Sequence, residues 1–524
     1  MIIFLRRLLA TVLSCAFLVS RTRGQWFISL VGSVVWVGLV FGAPSVRADE
    51  TKQSIFAGET GIGAPKQAGG VVYDPVADTY TVTGGGANMW FKSDSFHFVW
   101  KKIEGDTALS ADIAFVGQSP EPHRKAVLMI RQSLDADSMY ADAAVHGDGL
   151  TSLQFRESAG DVTHEIQTTV RAPRRMRLEK SGDYVYLSIA GAAGVVEPSG
   201  CSVRLPFKGP FYIGIGVCAH QADAVEKVVF SNLQFSSPTR DVAAVRSVIE
   251  TITIASGDRR RVYHSEQRVA APNWSHDGAT LFFNEGGKIF RFSLAAGSAA
   301  EPELVDTGFA NKCTDSHGLS PDGKLLAITD RSKTQQSRIY VLSTAGGMLK
   351  EITARAPSEF HGWSPDGQTL VFSAGREGKL GIFSIPATGG SETRLTTVAV
   401  DGFDEGPEYS SDGQWIYFYS DRSGHSQIWR MRPDGTAPEQ VTSDANNNRF
   451  PHPSPDGKWI AFLAYSPAVR GAPADREVSL SLFSVSTGET KMLAKIFGGD
   501  GTINSPSWSP DSLKLAYVRY QPKQ

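Results

Sequence analysis

The sequence predicts an all-β protein in which an N-terminal β-sandwich is followed by a six-bladed β-propeller. Three observations carry this prediction. One turn motif occurs six times at nearly constant spacing, short runs of alternating apolar residues recur along the chain, and glycine is abundant, with 52 residues in a chain of 524. Short alternating strands bounded by turn residues are typical of sandwiches and propellers, whereas amphipathic helices show a period near 3.6 residues.

The first 48 residues are predicted to be an export leader and not part of the fold. Two apolar runs, 1–20 and 26–41, are separated by a basic Arg-Thr-Arg, and Val46 and Ala48 are small residues before a cut at Asp49. A basic flank, an apolar core and a small-residue site together are typical of a signal peptide. Three alternatives stay open: a long cleaved leader, translation that begins further in, or an uncleaved membrane anchor. The protein is therefore expected to be periplasmic or secreted, with membrane contact only through an uncleaved leader.

The charge balance argues against a nucleic-acid partner. The whole chain has 52 basic and 54 acidic residues, and the leader holds five arginines and no acid, which leaves 47 basic against 54 acidic residues, about -7. Binding to nucleic acid needs a dense basic surface, and the sequence shows none.

Residues 50–237 are predicted to form the sandwich, because alternating or apolar runs are each bounded by turn residues. The runs are Thr79–Thr83, Phe96–Trp100, Leu109–Phe115, Ala126–Ile130, Tyr184–Ile189 and Phe211–Val217. Three further stretches, Gly84–Trp90, Met129–Asp135 and His146–Phe155, are similar to concanavalin-A-like jelly rolls of secreted bacterial proteins. A short linker, 238–247, follows.

The repeated motif marks the propeller, 248–524. Its copies are Trp274–Gly278, Leu319–Gly323, Trp363–Gly367, Tyr409–Gly413, Pro453–Gly457 and Trp508–Ser512, spaced by 45, 44, 46, 44 and 55 residues at the shared serine. Ser-Pro-Asp-Gly is a tight turn, because Pro fixes φ, Asp bonds its own backbone and Gly accepts positive φ. Four short strands in about 44 residues make one propeller blade.

The sixth repeat ends after two strands, at Gln524. Two strands near 248–254 and 260–263 read as the outer half of a blade, so the ring is predicted to be closed by strands from both ends of this part. Closure of the ring removes exposed strand edges. Over about 280 residues the array resembles TolB-like propellers with WD-type Ser-Pro-Asp-Gly repeats. Such propellers host both binding and catalysis, so the resemblance indicates the fold more than the function.

Candidate site residues come from comparing equivalent positions of the repeats. Three residues before the shared serine, four repeats have proline, whereas two have His317 and His361, and the fifth repeat has His452 one position later. Residues that enter the innermost strand of a blade lie at the rim of the central channel. The predicted rim consists of Asp315, His317, Glu359, His361, Asp404, Glu405, Glu408, Arg449, His452 and Asn504. These groups either form a site or only hydrate the channel mouth.

Two functions fit this rim. The first is an exported binding or scaffold protein that holds a peptide, protein or glycan at the channel, as the TolB resemblance implies. The alternative is a carbohydrate-active enzyme, a metal-assisted lyase or hydrolase of oligosaccharides, with His317 and His361 as ligands of manganese, zinc or iron. Whether the protein is an enzyme stays open at this stage.

Three further features have both a functional and a structural interpretation. Cys201 and Cys218 either pair across a predicted hairpin or are, with Cys313, buried thiols. Trp90 and nearby polar residues either form a sugar platform or belong to the core; the set is Trp90, Phe91, His97, Arg131 and His146. Acid-arginine pairs at one recurrent turn, such as Asp421-Arg422, are expected to brace the blades.

Overall fold

A computed structural model describes residues 53–190, 194–238, 246–295, 301–397 and 402–521. These residues form strands and turns and no helix, which confirms the all-β prediction. Within the same ranges no helix has the length and apolarity that a membrane span requires. The predicted leader lies outside the described residues, as does most of the predicted linker.

The N-terminal half of the described chain contains fifteen strands. In chain order they are β1 (Gly58–Ile62), β2 (Gly70–Asp74), β3 (Thr79–Gly84), β4 (Asn88–Trp90), β5 (Ser93–Ile103), β6 (Thr107–Phe115), β7 (Lys125–Arg131), β8 (Tyr140–His146), β9 (Thr151–Arg156), β10 (His164–Gln167), β11 (Arg175–Ser181), β12 (Tyr184–Ala190), β13 (Val196–Arg204), β14 (Phe211–Cys218) and β15 (Glu226–Ser236).

These strands form two antiparallel sheets that share one core. The first sheet has the order β1-β5-β14-β7-β8-β9-β10, with β4 paired to β5, and the second has the order β13-β12-β11-β6-β15-β3-β2. Alternate residues of both sheets point into the shared core, for example Leu128 and Leu153 from the first and Leu109 and Phe230 from the second. The alternation of apolar and polar residues in the sequence therefore corresponds to the side chains that point into and away from the shared core.

The C-terminal half contains strands β16 to β38. They are β16 (Ser247–Thr253), β17 (Arg259–Ser265), β18 (Val269–Trp274), β19 (Thr280–Glu285), β20 (Lys288–Ser293), β21 (Glu303–Leu304), β22 (Cys313–Leu319), β23 (Leu325–Asp330), β24 (Arg338–Ser343), β25 (Lys350–Glu351), β26 (Ser358–Trp363), β27 (Thr369–Arg376), β28 (Lys379–Pro386), β29 (Thr393–Arg394), β30 (Asp404–Tyr409), β31 (Ile416–Ser420), β32 (Gln427–Met431), β33 (Glu439–Gln440), β34 (Asn447–Pro453), β35 (Trp459–Tyr465), β36 (Arg476–Ser484), β37 (Thr490–Gly498) and β38 (Lys514–Tyr520).

Strands β18 to β37 form five separate four-stranded sheets, each in plain sequence order, which are five propeller blades. The motif turn joins the first and second strand of each blade. In the second blade, Asp322 Oδ1 accepts hydrogen bonds from Ser320 Oγ at 2.7 Å and from the Lys324 amide at 3.1 Å, and Gly323 has φ 70°. The predicted roles of Asp and Gly in this turn are thus present.

The two ends of the C-terminal half meet in one further sheet. Strand β38 pairs with β16, and β16 pairs with β17, all antiparallel. Strand β17 also pairs in parallel with β10 through Ile166 and Gln167, which makes this sheet continuous with the first N-terminal sheet. A single bridge between Trp508 and Leu515 connects β38 to the residues that precede it.

The six motif turns contact one another in sequence. A β-carbon placed on Gly323 would lie 3.4 Å from His276 of the preceding turn. Equivalent approaches, of 3.6 to 3.8 Å, join Gly367 to Pro321, Gly413 to Pro365 and Gly457 to Ser411. A β-carbon on Gly278, in the first turn, would lie 3.7 Å from Pro510 of the last turn, and the Asp456 amide donates to Ser512 Oγ at 3.0 Å. The turns therefore close into a ring.

The predicted cysteine pair is wrong. Cys201, Cys218 and Cys313 are free and buried. Cys201 lies on β13 and Cys218 on β14, and these strands belong to different sheets instead of one hairpin. Cys201 packs in the core between the sheets, whereas Cys218 points to the opposite face of its own sheet. The alternative of buried thiols is the one that the structure shows.

Candidate functional site

The first strands of the five blades, β18, β22, β26, β30 and β34, line a central channel. Each lies at one end of its sheet, pairs with the second strand only, and contacts the first strands of neighbouring blades. All predicted rim residues except Asn504 lie on β22, β26, β30 and β34. The structure separates them into two levels, because positions two or three residues apart on one strand lie at different depths of the channel.

The outer level, at the channel mouth, is acidic. We call Asp315, Glu359, Glu405, Arg449 and Asp500 the mouth cluster. Glu359 accepts from Thr314 Oγ1 at 2.9 Å and pairs with Arg331 at 2.9 Å. Glu405 accepts from Tyr419 OH at 3.0 Å. Four carboxylates from four parts of the chain therefore meet at one opening.

Burial and mutual repulsion perturb the carboxyl groups of the mouth cluster. Burial, with Asp500 and Glu359 nearby, raises the pKa of Asp315 to about 7, against the opposing effect of Arg268. Burial also raises the pKa of Glu405, although the Tyr419 hydrogen bond and Arg449 act in the other direction. Crowded acids of this kind hold protons near neutral pH and attract a cation or a hydrogen-bond donor.

Two polar atoms near the mouth lack partners. The Nε of Arg449 and the hydroxyl of Tyr465 are buried and make no hydrogen bond. Arg449 is 6% exposed, and its guanidinium lies 4.9 Å from the ring centre of Phe403 and 5.3 Å from that of Tyr419. A buried polar atom without a partner costs about 1–3 kcal/mol. The Tyr465 hydroxyl lies beside the mouth cluster, because Asp500 and Arg449 both act on its pKa.

The inner level holds the histidines. His452 Nδ1 lies 2.6 Å from Glu408 Oε2, and its Nε2 bonds the carbonyl oxygen of Ile503. A carbonyl accepts only, so Nε2 carries a proton, and one further proton is shared between Nδ1 and the carboxyl group. Burial raises the pKa of Glu408 against the effect of His452. Both ring nitrogens of His452 therefore have hydrogen-bond partners within the protein.

His317 is buried and His361 is half-buried, and the pKa values of both imidazoles are lowered. Burial lowers the pKa of His317 to about 4, against the opposing effect of the Phe282 backbone. Burial, and then His452, lowers the pKa of His361 to about 3. In the part of the chain that the structure describes, no three His, Cys, Asp or Glu side chains are placed to hold one ion. The metal pair formed by His317 and His361 stays a prediction.

Two other rim residues are bound within the protein. Asp404 is fully buried and pairs with Arg422 through both oxygens, at 2.8 and 2.7 Å. Asn504 donates to Asp500 Oδ1 at 2.6 Å and accepts from the Gly501 amide at 2.8 Å. Arg422 and Arg331, at the recurrent turn, form ion pairs with Asp404 and Glu359 and not with the acids that precede them in the sequence.

A segment of the chain crosses the channel. This crossing segment, residues 499–507, contacts four parts of the ring. The Ala271 amide donates to the Gly501 carbonyl at 2.8 Å, Ser505 Oγ donates to the Asp315 carbonyl at 3.1 Å, and Ile503 accepts from His452. The Val518 amide donates to the Thr502 carbonyl at 3.0 Å. The segment also contacts two of the three histidines, since Ile503 bonds His452 and Ser505 Oγ accepts from the His317 amide at 3.4 Å.

Sequence reasoning missed Asp500, Arg268, Tyr465 and the crossing segment. The first two lie outside the repeat positions that were compared, so the register argument did not reach them. A signal was available in Gly498-Gly499-Asp500-Gly501, since three glycines where the innermost strand of a blade should begin indicate irregular backbone. Gly499 and Gly501 do have φ values of 106° and 92°.

Known proteins are similar to about half of this chain. The sequence model described as the TolB beta propeller domain matches residues 319–519. The uncharacterized protein Atu1656 of Agrobacterium fabrum is 43% identical over 292 residues, which are 56% of this chain and 98% of that protein. The chain belongs to the TolB-like β-propeller family. A solved structure of a putative TolB from Agrobacterium tumefaciens is 44% identical, with a TM-score of 0.51, over 53% of this chain and 99% of that one.

A more distant TolB-like relative is the Tol-Pal system protein TolB of Francisella tularensis subsp. tularensis. It is 27% identical over 259 residues, which are 48% of this chain. The chain spans 56% of the length of that protein. All three matches concern about half of this chain, and the TolB-like assignment confirms the family resemblance of the repeats.

Proposed function

We propose that this protein is an exported binding scaffold whose propeller holds an extended segment of a protein partner at the mouth cluster. The observation that carries the proposal is the pair of unpartnered buried atoms there, Arg449 Nε and Tyr465 OH. They lie among carboxylates, which accept hydrogen bonds from the backbone amides or lysine side chains of a bound peptide. Together these groups match the alternating donors and acceptors of a peptide.

The crossing segment supports this choice of ligand. It is itself a stretch of polypeptide whose carbonyl groups accept from channel side chains: Ile503 from His452 and Pro506 from Asn273 Nδ2, the latter at 2.6 Å. The channel wall therefore already binds backbone of this kind. A partner segment would extend the same mode of binding outward, to the mouth cluster.

We further propose that β38, β16 and β17 are the second, third and fourth strands of a sixth blade, whose innermost position is taken by the crossing segment and Trp508. The closed ring of six motif turns supports this count. The domains would be 50–237, a concanavalin-A-like jelly roll, and 248–524, the propeller. Two sheets of seven and eight strands around one core are the support for the jelly roll.

The protein is proposed to act in the periplasm, to which the predicted leader directs it. The Francisella relative is named as a Tol-Pal system protein, so the Tol-Pal components of the same bacterium are the first partners to test. Because the chain spans only 56% of the length of that relative, a role of this protein in a Tol-Pal system is a proposal.

Site-specific photo-crosslinking in the source bacterium tests the partner proposal. A photoreactive residue replaces Arg331, which is half exposed beside Glu359 at the mouth, and in a matched control it replaces Lys324, which is 80% exposed at the opposite end of the same blade. We expect one discrete protein adduct from position 331 that is lost in Tyr465→Phe and Arg449→Gln backgrounds. Equal adducts from both positions, or adducts insensitive to both backgrounds, would refute a mouth-binding role.

A further inference from the structure

A cleft lies between the outer face of the second N-terminal sheet and the fifth blade of the propeller, which consists of β34 to β37. Its volume is about 480 Å³. Pockets for small molecules have roughly 300–1,000 Å³ and are common where two parts of a protein meet. The residues that line the cleft include no member of the mouth cluster, so this site does not depend on the function proposed there.

The first wall of the cleft comes from β12 and β13. On these strands Val185 and Val203 point into the shared core, so their neighbours point to the outer face of the sheet. Tyr184 and Arg204 lie opposite each other on that face, and Ser202 is two residues further along β13. All three line the cleft.

The second wall is one face of the fifth blade. Ser479 on β36 lies opposite Lys495 on β37 and opposite Ala464 on β35. Glu477 lies opposite Phe497, two residues along the same strands. These five residues line the cleft, and the short side chains of Ser479 and Ala464 leave space between the longer ones.

Two polar contacts connect the walls. Arg519, at the floor of the cleft, donates to Ser202 Oγ at 2.9 Å and to Glu250 at 2.7 Å. Arg204 Nε lies 3.0 Å from Glu477 Oε1, and this ion pair joins the sandwich directly to the blade. The folded chain itself therefore holds the two walls at a fixed distance.

Cations outnumber acids among the residues that line the cleft. The cations are Arg204, Arg259, Lys495 and Arg519, and the acids are Glu157 and Glu477. Arg204 is paired with Glu477 and with Asp183, and Arg519 is paired with Glu250. Arg259 is 3.9 Å from that same Glu250, and Lys495 forms no ion pair within the described part of the chain. Arg259 and Lys495 are therefore the two cations without a close carboxylate of their own.

The neutral polar groups of the cleft are also unused. Within the ranges that the structure describes, the hydroxyl groups of Tyr184, Ser158, Ser466 and Ser479 make no hydrogen bond. A hydroxyl group can both donate and accept, and the carboxylate of Glu157 can accept. The rings of Tyr184 and Phe497 add apolar surface. The cleft thus combines positive charge, hydroxyl groups and two flat rings.

We propose that this cleft binds a small hydroxylated organic anion, such as a sugar acid or a sugar phosphate. Its carboxylate or phosphate group accepts from Lys495 and Arg259, since ammonium and guanidinium groups are the usual partners of these anions. Its hydroxyl groups bond the serines and Glu157, and its carbon skeleton lies against the rings. A cationic ligand would be repelled by the two unpaired cations, and an apolar one would leave the hydroxyl groups of the wall without partners.

The cleft is not the sugar platform that the sequence suggested. None of the residues of that platform lines the cleft. Arg131 is fully buried beside Asp94, and His97 bonds Glu59 at 2.9 Å, so both are engaged within the protein.

Thermal unfolding of the full chain with added probes tests the proposal. The probes are glucuronate and glucose 6-phosphate, with uncharged glucose as the matched control and sodium chloride at the same ionic strength as the blank. We expect at least one of the two anions, and not glucose, to raise the melting temperature. A shift from glucuronate alone assigns a carboxylate ligand, and a shift from glucose 6-phosphate alone assigns a phosphate ligand. No shift from either anion, or an equal shift from glucose, overturns the proposal.

The variant Lys495→Gln separates binding from folding. Lys495 is exposed and has no ion pair to lose, so the melting temperature without ligand should stay unchanged. Titration calorimetry with the active probe should show affinity weakened about tenfold or more, the effect of one hydrogen bond to a charged group. The control Lys350→Gln removes an exposed lysine from the outer strand of the second blade and should keep the affinity. Ser479→Leu fills the cleft and should abolish binding, and equal affinity in wild type and Lys495→Gln would overturn the proposal.

Discussion

The variant Glu250→Ala tests how the ring and the N-terminal half are joined. Glu250, on β16, is fully buried and accepts from Tyr517 OH at 2.5 Å and from Arg519 Nε at 2.7 Å, both on β38. Arg519 in turn donates to Ser202 Oγ of β13 at 2.9 Å. One carboxylate therefore connects both ends of the C-terminal half and orients an arginine toward the second N-terminal sheet.

The expected loss is large because a buried cation is left unpaired. Removing one partner of a buried ion pair costs about 3–5 kcal/mol, far more than an exposed pair is worth. Arg259, 3.9 Å from Glu250, loses its carboxylate as well. We expect Glu250→Ala to lower the free energy of unfolding by roughly that amount, and Glu250→Gln, which keeps an acceptor without the charge, to lose less.

Urea unfolding followed by tryptophan fluorescence measures this loss, with Glu303→Ala as the control. Glu303 pairs with Arg291 at 2.5 Å on an exposed strand, so its removal should have no measurable effect. Equal midpoints for Glu250→Ala and Glu303→Ala would refute the argument that the buried network joins the two halves.

The same network predicts a pH dependence. Burial alone would raise the pKa of Glu250, but Arg519, Arg259 and the hydrogen bonds from Tyr517 and Arg519 outweigh it and hold the pKa below the ordinary 4.5. The group therefore stabilises the fold above pH 4.5, and this contribution is lost as pH falls through the lower folded-state pKa. The difference in stability between wild type and Glu250→Gln should shrink over that range.

Three further predictions concern the leader, the crossing segment and the metal pair. N-terminal sequencing of the exported protein should begin near Asp49, whereas an intact first residue in the membrane fraction would indicate an anchor. Asn504→Ala removes two bonds of the crossing segment, so hydrogen exchange of residues 499–507 should accelerate while the rest of the ring is unchanged; uniform exchange in both proteins would contradict a separately held segment. If His317 and His361 bind metal, added Mn²⁺ or Zn²⁺ should raise the melting temperature of the wild type but not that of the double variant His317→Ala, His361→Ala. Identical melting curves for the two proteins would refute the metal pair.

Comparison of the repeats predicted which residues occupy similar positions in different blades. It singled out His317 and His361, three residues before the shared serine, and His452, one position later, and the structure has all three on the first strands of their blades. It could not show that His452 is used by Glu408 and Ile503, since those contacts come from different blades and from the crossing segment. The sequence prediction of one rim therefore became two levels with different chemistry.

Local signals in the sequence determined most of the strands, the motif turns and five of the six predicted blades. Ser-Pro-Asp-Gly closes its own turn through bonds between residues a few positions apart, so the pattern is readable without knowing the rest of the chain. Alternation likewise reports which face of a strand is buried. Both are short-range properties, and both were predicted correctly.

Tertiary structure decided everything that depends on contacts between distant parts of the chain. Cys201 and Cys218 are 17 positions apart in sequence and belong to different sheets, so their spacing suggested a pairing that the topology forbids. The unpartnered atoms of Tyr465 and Arg449 are recognisable only when every neighbour is known. Whether a donor or acceptor lacks a hydrogen-bond partner depends on all the groups around it in space. No pattern in the sequence reports this property.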